Sequence, residues 1–287
     1  MATRRDEHTI SAEELRAGLR GSLVLDVRVG AGGRPDHAAD DRARVPGARV
    51  VDLARDLIGP STATSGDRPL PDPHAVGETL ARSGFSGEHP IVVYDDTGSA
   101  AAARAWWTLR WAGLRSVRVL DGGLAAWIEA GGALESSASA AAEHTAPPVD
   151  IEPGGLRVAT TADASRLGER GGLLDARPAA LHAAGHIPGA RSTPVDRDFD
   201  EHGRLRPPAE IAARYRAVGV RPGLPVATYC GSGMAAALQV YVLATIGIDA
   251  ALYVGSLSQW RSDPTRPVAV APTAARFAEP VCSLPTA

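Results

Sequence analysis

The stretch Pro225-Val-Ala-Thr-Tyr229-Cys230-Gly231-Ser232-Gly233-Met234-Ala235-Ala236 decides how the chain is read. A short, β-branched apolar run ends in a cysteine, two glycines follow within three residues, and an Ala-rich apolar segment continues to Ile246. An apolar run of this length bounded by small turn residues reads as a buried strand, and the segment after it as a helix over 235–246. The first half of the chain carries a counterpart, Pro90-Ile-Val-Val-Tyr94-Asp95, followed by a small-residue turn and a helical segment over 100–111.

Working outward, the two halves repeat one grammar, the mark of an internal duplication. Each opens with an apolar strand ending in Asp-x-Arg, namely Asp26-Val-Arg28 and Asp175-Ala-Arg177. Each then has a Pro-Gly-Ala turn, at Pro46-Gly-Ala48 and at Pro188-Gly-Ala190, leading into an extended segment. Helical segments are expected over 73–83 and 208–217, and last strands over 117–120 and 250–254. Each last strand leads through a glycine to a short helix bearing Trp127 or Trp260. Strands alternating with helices predict βαβ units and a parallel sheet covered on both faces. In such sheets the reactive site lies beyond the carboxyl ends of the strands. Asp95 and Cys230 hold that place. Between the halves, residues 133–153 are rich in Ala, Ser, Gly and Pro without periodicity and read as a linker. The expected division is 1–132, linker 133–153, 154–270, and a Pro-rich tail over 271–287.

Composition narrows the chemistry. The chain has 287 residues, 44% hydrophobic and 22% charged, with a net charge of -3, so nothing pulls it toward nucleic acid or an anionic membrane. All 30 basic residues counted as Lys+Arg are arginine, which excludes Schiff-base and phosphate-loop lysine chemistry. Two cysteines, Cys230 and Cys282, cannot build a disulfide framework or a cysteine zinc site, and a reducing cytoplasm fits them best. Cys282 sits in the Pro-rich tail. The start of the chain lacks the apolar core of a secretory signal.

Cys230 is placed to react. Gly231 and Gly233 allow successive backbone N–H groups, with those of Met234 and Ala235, to turn around the sulfur. The helix that follows adds its N-terminal dipole, and both effects favour a thiolate nucleophile. A cysteine phosphatase needs an arginine at the sixth position of the loop, where Ala236 stands. A cysteine protease would want a histidine base with an orienting Asn or Asp, and asparagine is absent. Sulfur transfer needs only a nucleophilic sulfur and donors for a persulfide anion. With no lysine in the loop, amides and dipole are expected to hold that anion alone.

Cys230-Gly-Ser-Gly233, Asp175-Ala-Arg177 with Gly185-His-Ile-Pro-Gly-Ala190, and Asp121-Gly-Gly-Leu-Ala-Ala-Trp127 make the chain similar to the two-domain rhodanese family, the thiosulfate and 3-mercaptopyruvate sulfurtransferases. The resemblance spans nearly the whole chain. It implies an α/β protein of two tandem rhodanese-like domains, each a mainly parallel sheet flanked by helices on both faces. The first would be inactive, with Asp95 in place of the cysteine, and the second catalytic. It further implies transfer of a sulfane sulfur from 3-mercaptopyruvate or thiosulfate, through a Cys230 persulfide, to a thiol, cyanide or protein acceptor, without a cofactor. Ser232 would assist proton movement, and Asp175 and Arg177 would support the loop. The Cys-Gly-Ser-Gly loop resembles the mercaptopyruvate type.

Some positions depart from the family pattern. Arg68 stands in the segment where the family has a histidine, and Asp52 lies near its aspartate. The segment 178–184 is short, with Leu181 near the place of one substrate-binding arginine and no loop for the other. Leu257 replaces a tryptophan. Arg68 and Arg191 are the candidates for holding the donor instead. These departures leave open a second class, a persulfide carrier or noncatalytic partner module. His182 and His186, four apart, read as turn residues rather than metal ligands, because Gly185 and Pro188 break the helix. The tryptophans of 100–111 read as a core helix, and Gly30-Ala-Gly-Gly33 is only superficially like a phosphate loop.

Overall fold

The computed structural model describes residues 4–30, 43–87, 89–136, 147 and 149–270. Cys282 with the 271–287 tail, residues 31–33 of the glycine-rich stretch and most of the Ala/Ser run of the linker lie outside the described residues.

In chain order the first half contains β1 (Thr9–Ile10), α1 (Ala12–Gly18), β2 (Leu23–Arg28), β3 (Arg49–Asp52), α2 (Leu53–Asp56), α3 (Pro73–Arg82), β4 (Ile91–Tyr94), α4 (Ala100–Trp111), β5 (Val117–Leu120) and α5 (Gly123–Glu129). The second contains α6 (Thr161–Glu169), β6 (Leu173–Asp175), α7 (Ala179–Ala184), β7 (Arg191–Ser192), α8 (Pro208–Ala217), β8 (Val226–Tyr229), α9 (Met234–Thr245), β9 (Ala250–Leu252) and α10 (Ser256–Arg261). The strands form two sheets in the orders β1-β5-β4-β2-β3 and β7-β6-β8-β9. Every pairing within them is parallel. Among the described residues the second sheet has no strand equivalent to β1, but Val158 bridges Leu252 in parallel at that edge.

Three apolar layers follow from the sequence pattern. On one face of the first sheet Ile10, Leu15, Val24, Val92 and Trp127 pack together. On the matching face of the second, Leu173, Ile187, Tyr229 and Trp260 do the same. The third cluster joins the halves: α4 lies against α9, and both sheets' facing side chains close over the pair. A helix apolar on all sides must be buried on all sides, which explains why α4 and α9 have almost no polar face. Polar ties cross the same boundary. Thr9 and Tyr241 share a hydrogen bond of 2.9 Å, and Arg5 pairs with Asp121 while reaching the carbonyls of Leu205 and Arg206.

The last strand of the second half ends at Leu252, two residues before the sequence reading places it, because Tyr253 already turns toward α10: its carbonyl accepts from the Ser256 amide and hydroxyl. No helix among the described residues is long and apolar enough to cross a membrane.

Candidate active site

β8 ends at Tyr229, and Cys230 follows at the carboxyl edge of the sheet, buried, with its Sγ accepting the Gly233 N–H at 3.0 Å. Gly233 caps α9 in the left-handed region, at φ 89°, and a Cβ there would sit 2.7 Å from the Val254 carbonyl oxygen. Only glycine meets both demands. The turn thus sets the Gly233 N–H, at the N-terminus of a twelve-residue helix, on the sulfur.

The first half shows what this loop can hold. Asp95 sits after β4 as Cys230 does after β8, and its carboxylate accepts four backbone N–H bonds. Those of Thr97 and Ser99 reach Oδ1 at 3.0 and 2.9 Å, and those of Ala101 and Ala102 reach Oδ2 at 2.9 Å each. Ser99 takes the left-handed capping position at φ 67°, one residue later than its counterpart Gly233. A fully buried negative group is therefore satisfied by loop and helix N-terminus, without a cation. Burial, the largest influence, leaves the Asp95 carboxyl above its ordinary value, with the four amides opposing it. In the first half the cradle is filled by the chain itself; in the second the corresponding loop, one residue shorter to its cap, holds a thiol on the Gly233 N–H.

Beneath each loop lies the same polar frame. Arg177 holds Asp175 through Nε at 2.9 Å and Nη2 at 2.5 Å and donates to the Gly185 carbonyl at 2.8 Å. The Tyr229 hydroxyl donates to Asp175 at 2.8 Å and accepts the Ile187 N–H at 3.0 Å. Burial, with the Asp175 charge, pushes the Tyr229 hydroxyl well up, so it stays protonated and donates. The first half repeats the set: Arg28 on Asp26, and Tyr94 accepting the Val45 N–H at 3.1 Å. The residue before each loop is thus pinned to the Asp-x-Arg strand end and the Pro-Gly-Ala turn. α10 closes the loop from the other side. The Cys230 N–H donates to Ser256 Oγ at 3.2 Å, and the Leu257 and Ser258 amides reach the carbonyls of Cys230 and Gly231 at 3.0 and 2.9 Å.

A duplicated strand–loop–helix with an anion cradle is also what comparison with known proteins finds. The model of the family described as "Rhodanese-like domain" matches residues 11–130 and 160–263. The chain belongs to the rhodanese family. It is 38% identical over 277 residues to SseB of Mycobacterium tuberculosis, named as a thiosulfate sulfurtransferase, covering 92% of this chain and 97% of that one. It is 37% identical to a Pseudomonas aeruginosa protein named as a 3-mercaptopyruvate sulfurtransferase, covering 91% and 97%. Among solved structures, SseA of Escherichia coli, a 3-mercaptopyruvate sulfurtransferase by name, superposes with a TM-score of 0.75 at 27% identity, covering 87% of this chain and 98% of that one. The chain is a sulfurtransferase of this family, with the two rhodanese-like domains its sequence implied.

This rhodanese pair brings first-half residues to the second-half loop. The 64–68 segment docks on α10: Gln259 donates to the Thr64 carbonyl at 2.9 Å, and the Asp67 N–H reaches Ser258 Oγ at 3.1 Å. Gly66, at φ 80°, lies so close to Gly255 that a Cβ would approach its carbonyl oxygen to 2.6 Å. That docking delivers Arg68, whose guanidinium hydrogen-bonds Ser232 Oγ. Arg191 goes elsewhere. Its side chain caps the Val218 carbonyl and packs on Gly171 and Gly219, at the end of the sheet where β6 begins. Arg191 lies on an edge strand of only two residues, where it pairs with Leu174.

The segment 178–184 is mostly the short helix α7, ended by Gly185, and it carries Leu181 on the surface rather than a cation. His182 and His186 stack with ring centroids 3.8 Å apart, and each ring nitrogen contact is to a backbone carbonyl, of Ala190 and His182 respectively. Asp52 caps α2 by accepting the Arg55 N–H. Of the site-facing residues, Ser256 was missed in the sequence, and Arg104 was read only as part of a core helix over 100–111. Ser256 was legible as the one serine standing where the first half has Gly123. Arg104 was legible as a charged residue within an apolar helix. The expectation that amides and dipole stand alone at the loop is corrected by Arg68, which reaches Ser232 Oγ from the other half of the chain.

Proposed function

We propose that the protein moves a sulfane sulfur by double displacement at Cys230. The thiolate attacks the outer sulfur of a small anionic donor, 3-mercaptopyruvate or thiosulfate. The new S–S bond forms as the donor's C–S or S–S bond breaks, and the electron pair leaves with pyruvate enolate or sulfite. The persulfide anion rests in the loop, held by the amides of Gly231, Gly233, Met234 and Ala235. A thiolate, cyanide or a protein thiolate then attacks the terminal sulfur and returns Cys230 to thiolate. Arg68, hydrogen-bonded to Ser232, is the donor's anion anchor, and Ser232 relays the proton that quenches an enolate. Asp175 and Arg177 keep the loop in shape.

The observation that carries this reading is the Gly233 N–H on Cys230 Sγ at 3.0 Å, in a loop whose first-half copy holds a carboxylate on four amides. Intact mass after incubation with each donor is the direct test. Wild type should gain one sulfur atom and Cys230→Ser none; a wild type that gains no sulfur from either donor sinks the proposal.

A second reading, a persulfide carrier loaded by a partner protein, is favoured by one feature: α7 offers no cation to a 2-oxo acid. Turnover separates the two, since a carrier would accept sulfur from protein donors yet turn over both small donors poorly.

A further inference from the structure

α4 is apolar except for Arg104 and Thr108 until its last turn, and Arg104 is fully buried. A buried guanidinium costs several kcal/mol unless it is paired and hydrogen-bonded. Arg104 is only half provided for. Its Nη2 donates to the Arg68 carbonyl at 3.0 Å and more weakly toward the Pro69 carbonyl at 3.5 Å. Nε and Nη1 have no hydrogen-bond partner, and among the described residues no carboxylate pairs with it. The Trp107 ring lies 5.8 Å from the charge. What Nη1 does approach is the cysteine loop: a Cβ on Gly233 would stand 3.1 Å from it, and the Gly233 amide is the group that holds Cys230 Sγ.

We propose that Arg104, supplied by the first rhodanese-like domain, is the buried cation of the second domain's sulfur site, lying under the Gly233 turn and stabilising the anion at Cys230 from below. It is a positioning residue for the sulfur transfer proposed above and rests on that reading for its purpose. It acts in two ways at once. Its charge is the missing counterpart of a thiolate or persulfide anion, and its hydrogen bond to the Arg68 carbonyl fixes the segment that brings Arg68 to Ser232. Burial pushes the guanidinium down to about 10, the Cys230 sulfur pulls it up, and Arg68 pushes it down, so it stays charged at neutral pH. The charged groups facing the loop are Arg104 from α4 and Arg68 from the 64–68 segment. α10 presents Ser256 and Ser258, and the residues after β9 present the Val254 carbonyl.

The test is alkylation of Cys230 by iodoacetamide across pH, in chains carrying Cys282→Ser. With Arg104→Met the rate at pH 6 should fall about tenfold, the size expected of one charge at this range in a partly screened interior. The loss should shrink as pH rises through about 8.5, where an ordinary thiol ionises. Arg104→Lys should keep most of the wild-type rate. A uniform loss at every pH, or no loss, overturns the proposal. Arg68→Met covers the case in which Arg104→Met does not fold. If the reactivity at pH 6 survives Arg68→Met and is insensitive to salt, but falls in the shape-conserving Arg104→Gln, its source is the buried Arg104 charge, which salt cannot screen. If it disappears with Arg68, or collapses with salt, Arg104 is not the source. Sulfur uptake by wild type is scored separately, so failure of the sulfur-transfer reading and failure of the Arg104 assignment give different results.

Discussion

Ser256 occupies a backbone position at φ 51° that L side chains avoid, yet it is completely buried. The equivalent residue of the first half is Gly123, at φ 57°. What the serine gains is a hydroxyl that donates to the Tyr253 carbonyl at 3.0 Å and accepts the Cys230 N–H at 3.2 Å. Left-handed conformation in a non-glycine residue costs about 1 kcal/mol or more and persists only where its surroundings fix it. Two substitutions separate strain from hydrogen bonding. Ser256→Ala keeps the strain and strands the Cys230 amide, so it should lower stability by about 1–3 kcal/mol. Ser256→Gly loses the same bonds but relieves the strain, and should unfold at a urea concentration between Ser256→Ala and wild type. Equal midpoints for the two variants would show that the left-handed position stores nothing. Comparing the two halves residue by residue makes Ser256 visible in sequence; its partner amide is visible only in the fold.

At the scale of elements, the strand–loop–helix unit was legible because its signals are local: β-branched runs for β4 and β8, small residues for the turns, mainly apolar helices for α4 and α9. The Asp-x-Arg strand ends were legible too, but not why they matter. Asp175 is fully buried and bound by Arg177 and Tyr229, so the strand end, the Pro-Gly-Ala turn and the residue before Cys230 share one charge. Removing one member of a buried pair strands the other. Asp175→Asn should therefore destabilise the protein by about 3–5 kcal/mol. Chemical denaturation measures this, and a loss below about 1 kcal/mol would mean Arg177 finds another partner. Arg191 was a candidate in place of the family's missing arginines, but its side chain leaves the edge strand β7 for the Val218 carbonyl, at the end of the sheet away from the loop. The position of a residue along the chain does not tell where its side chain goes.

At the scale of the whole molecule, α4 and α9 join the halves, and a histidine sits at the rim of that joint. His8 is buried edge-on against Trp106, with ring centroids 5.5 Å apart. It borders a cleft of about 540 Å³ whose walls include Arg110 from the first half and Leu224, Ile248 and Asp249 from the second. Burial lowers its pKa to about 4, with Arg110 and Arg4 adding to the effect and Glu7 and Asp249 opposing it. The unfolded chain takes up that proton near 6.5, so between roughly 6.5 and 4 the unfolded state binds more protons. Stability is therefore full above about 6.5 and falls as pH drops toward 4, by up to about 3 kcal/mol. Urea unfolding at pH 7 and pH 4.5 should show this fall in wild type and a shallower one in His8→Gln; equal slopes would remove His8 as the cause.

By itself the sequence determined the duplication, the strand and helix order and which half carries a thiol, because periodicity, turn chemistry and the Asp95/Cys230 contrast are written along the chain. Only the tertiary structure decided how that thiol is surrounded. Arg68 and Arg104 lie in the first half, 162 and 126 residues before Cys230 by subtraction of their positions, and no local pattern links them to it. Packing α4 on α9 and docking the 64–68 segment on α10 brings both cations to the loop. The half that holds no cysteine therefore brings two arginines to the loop of the other.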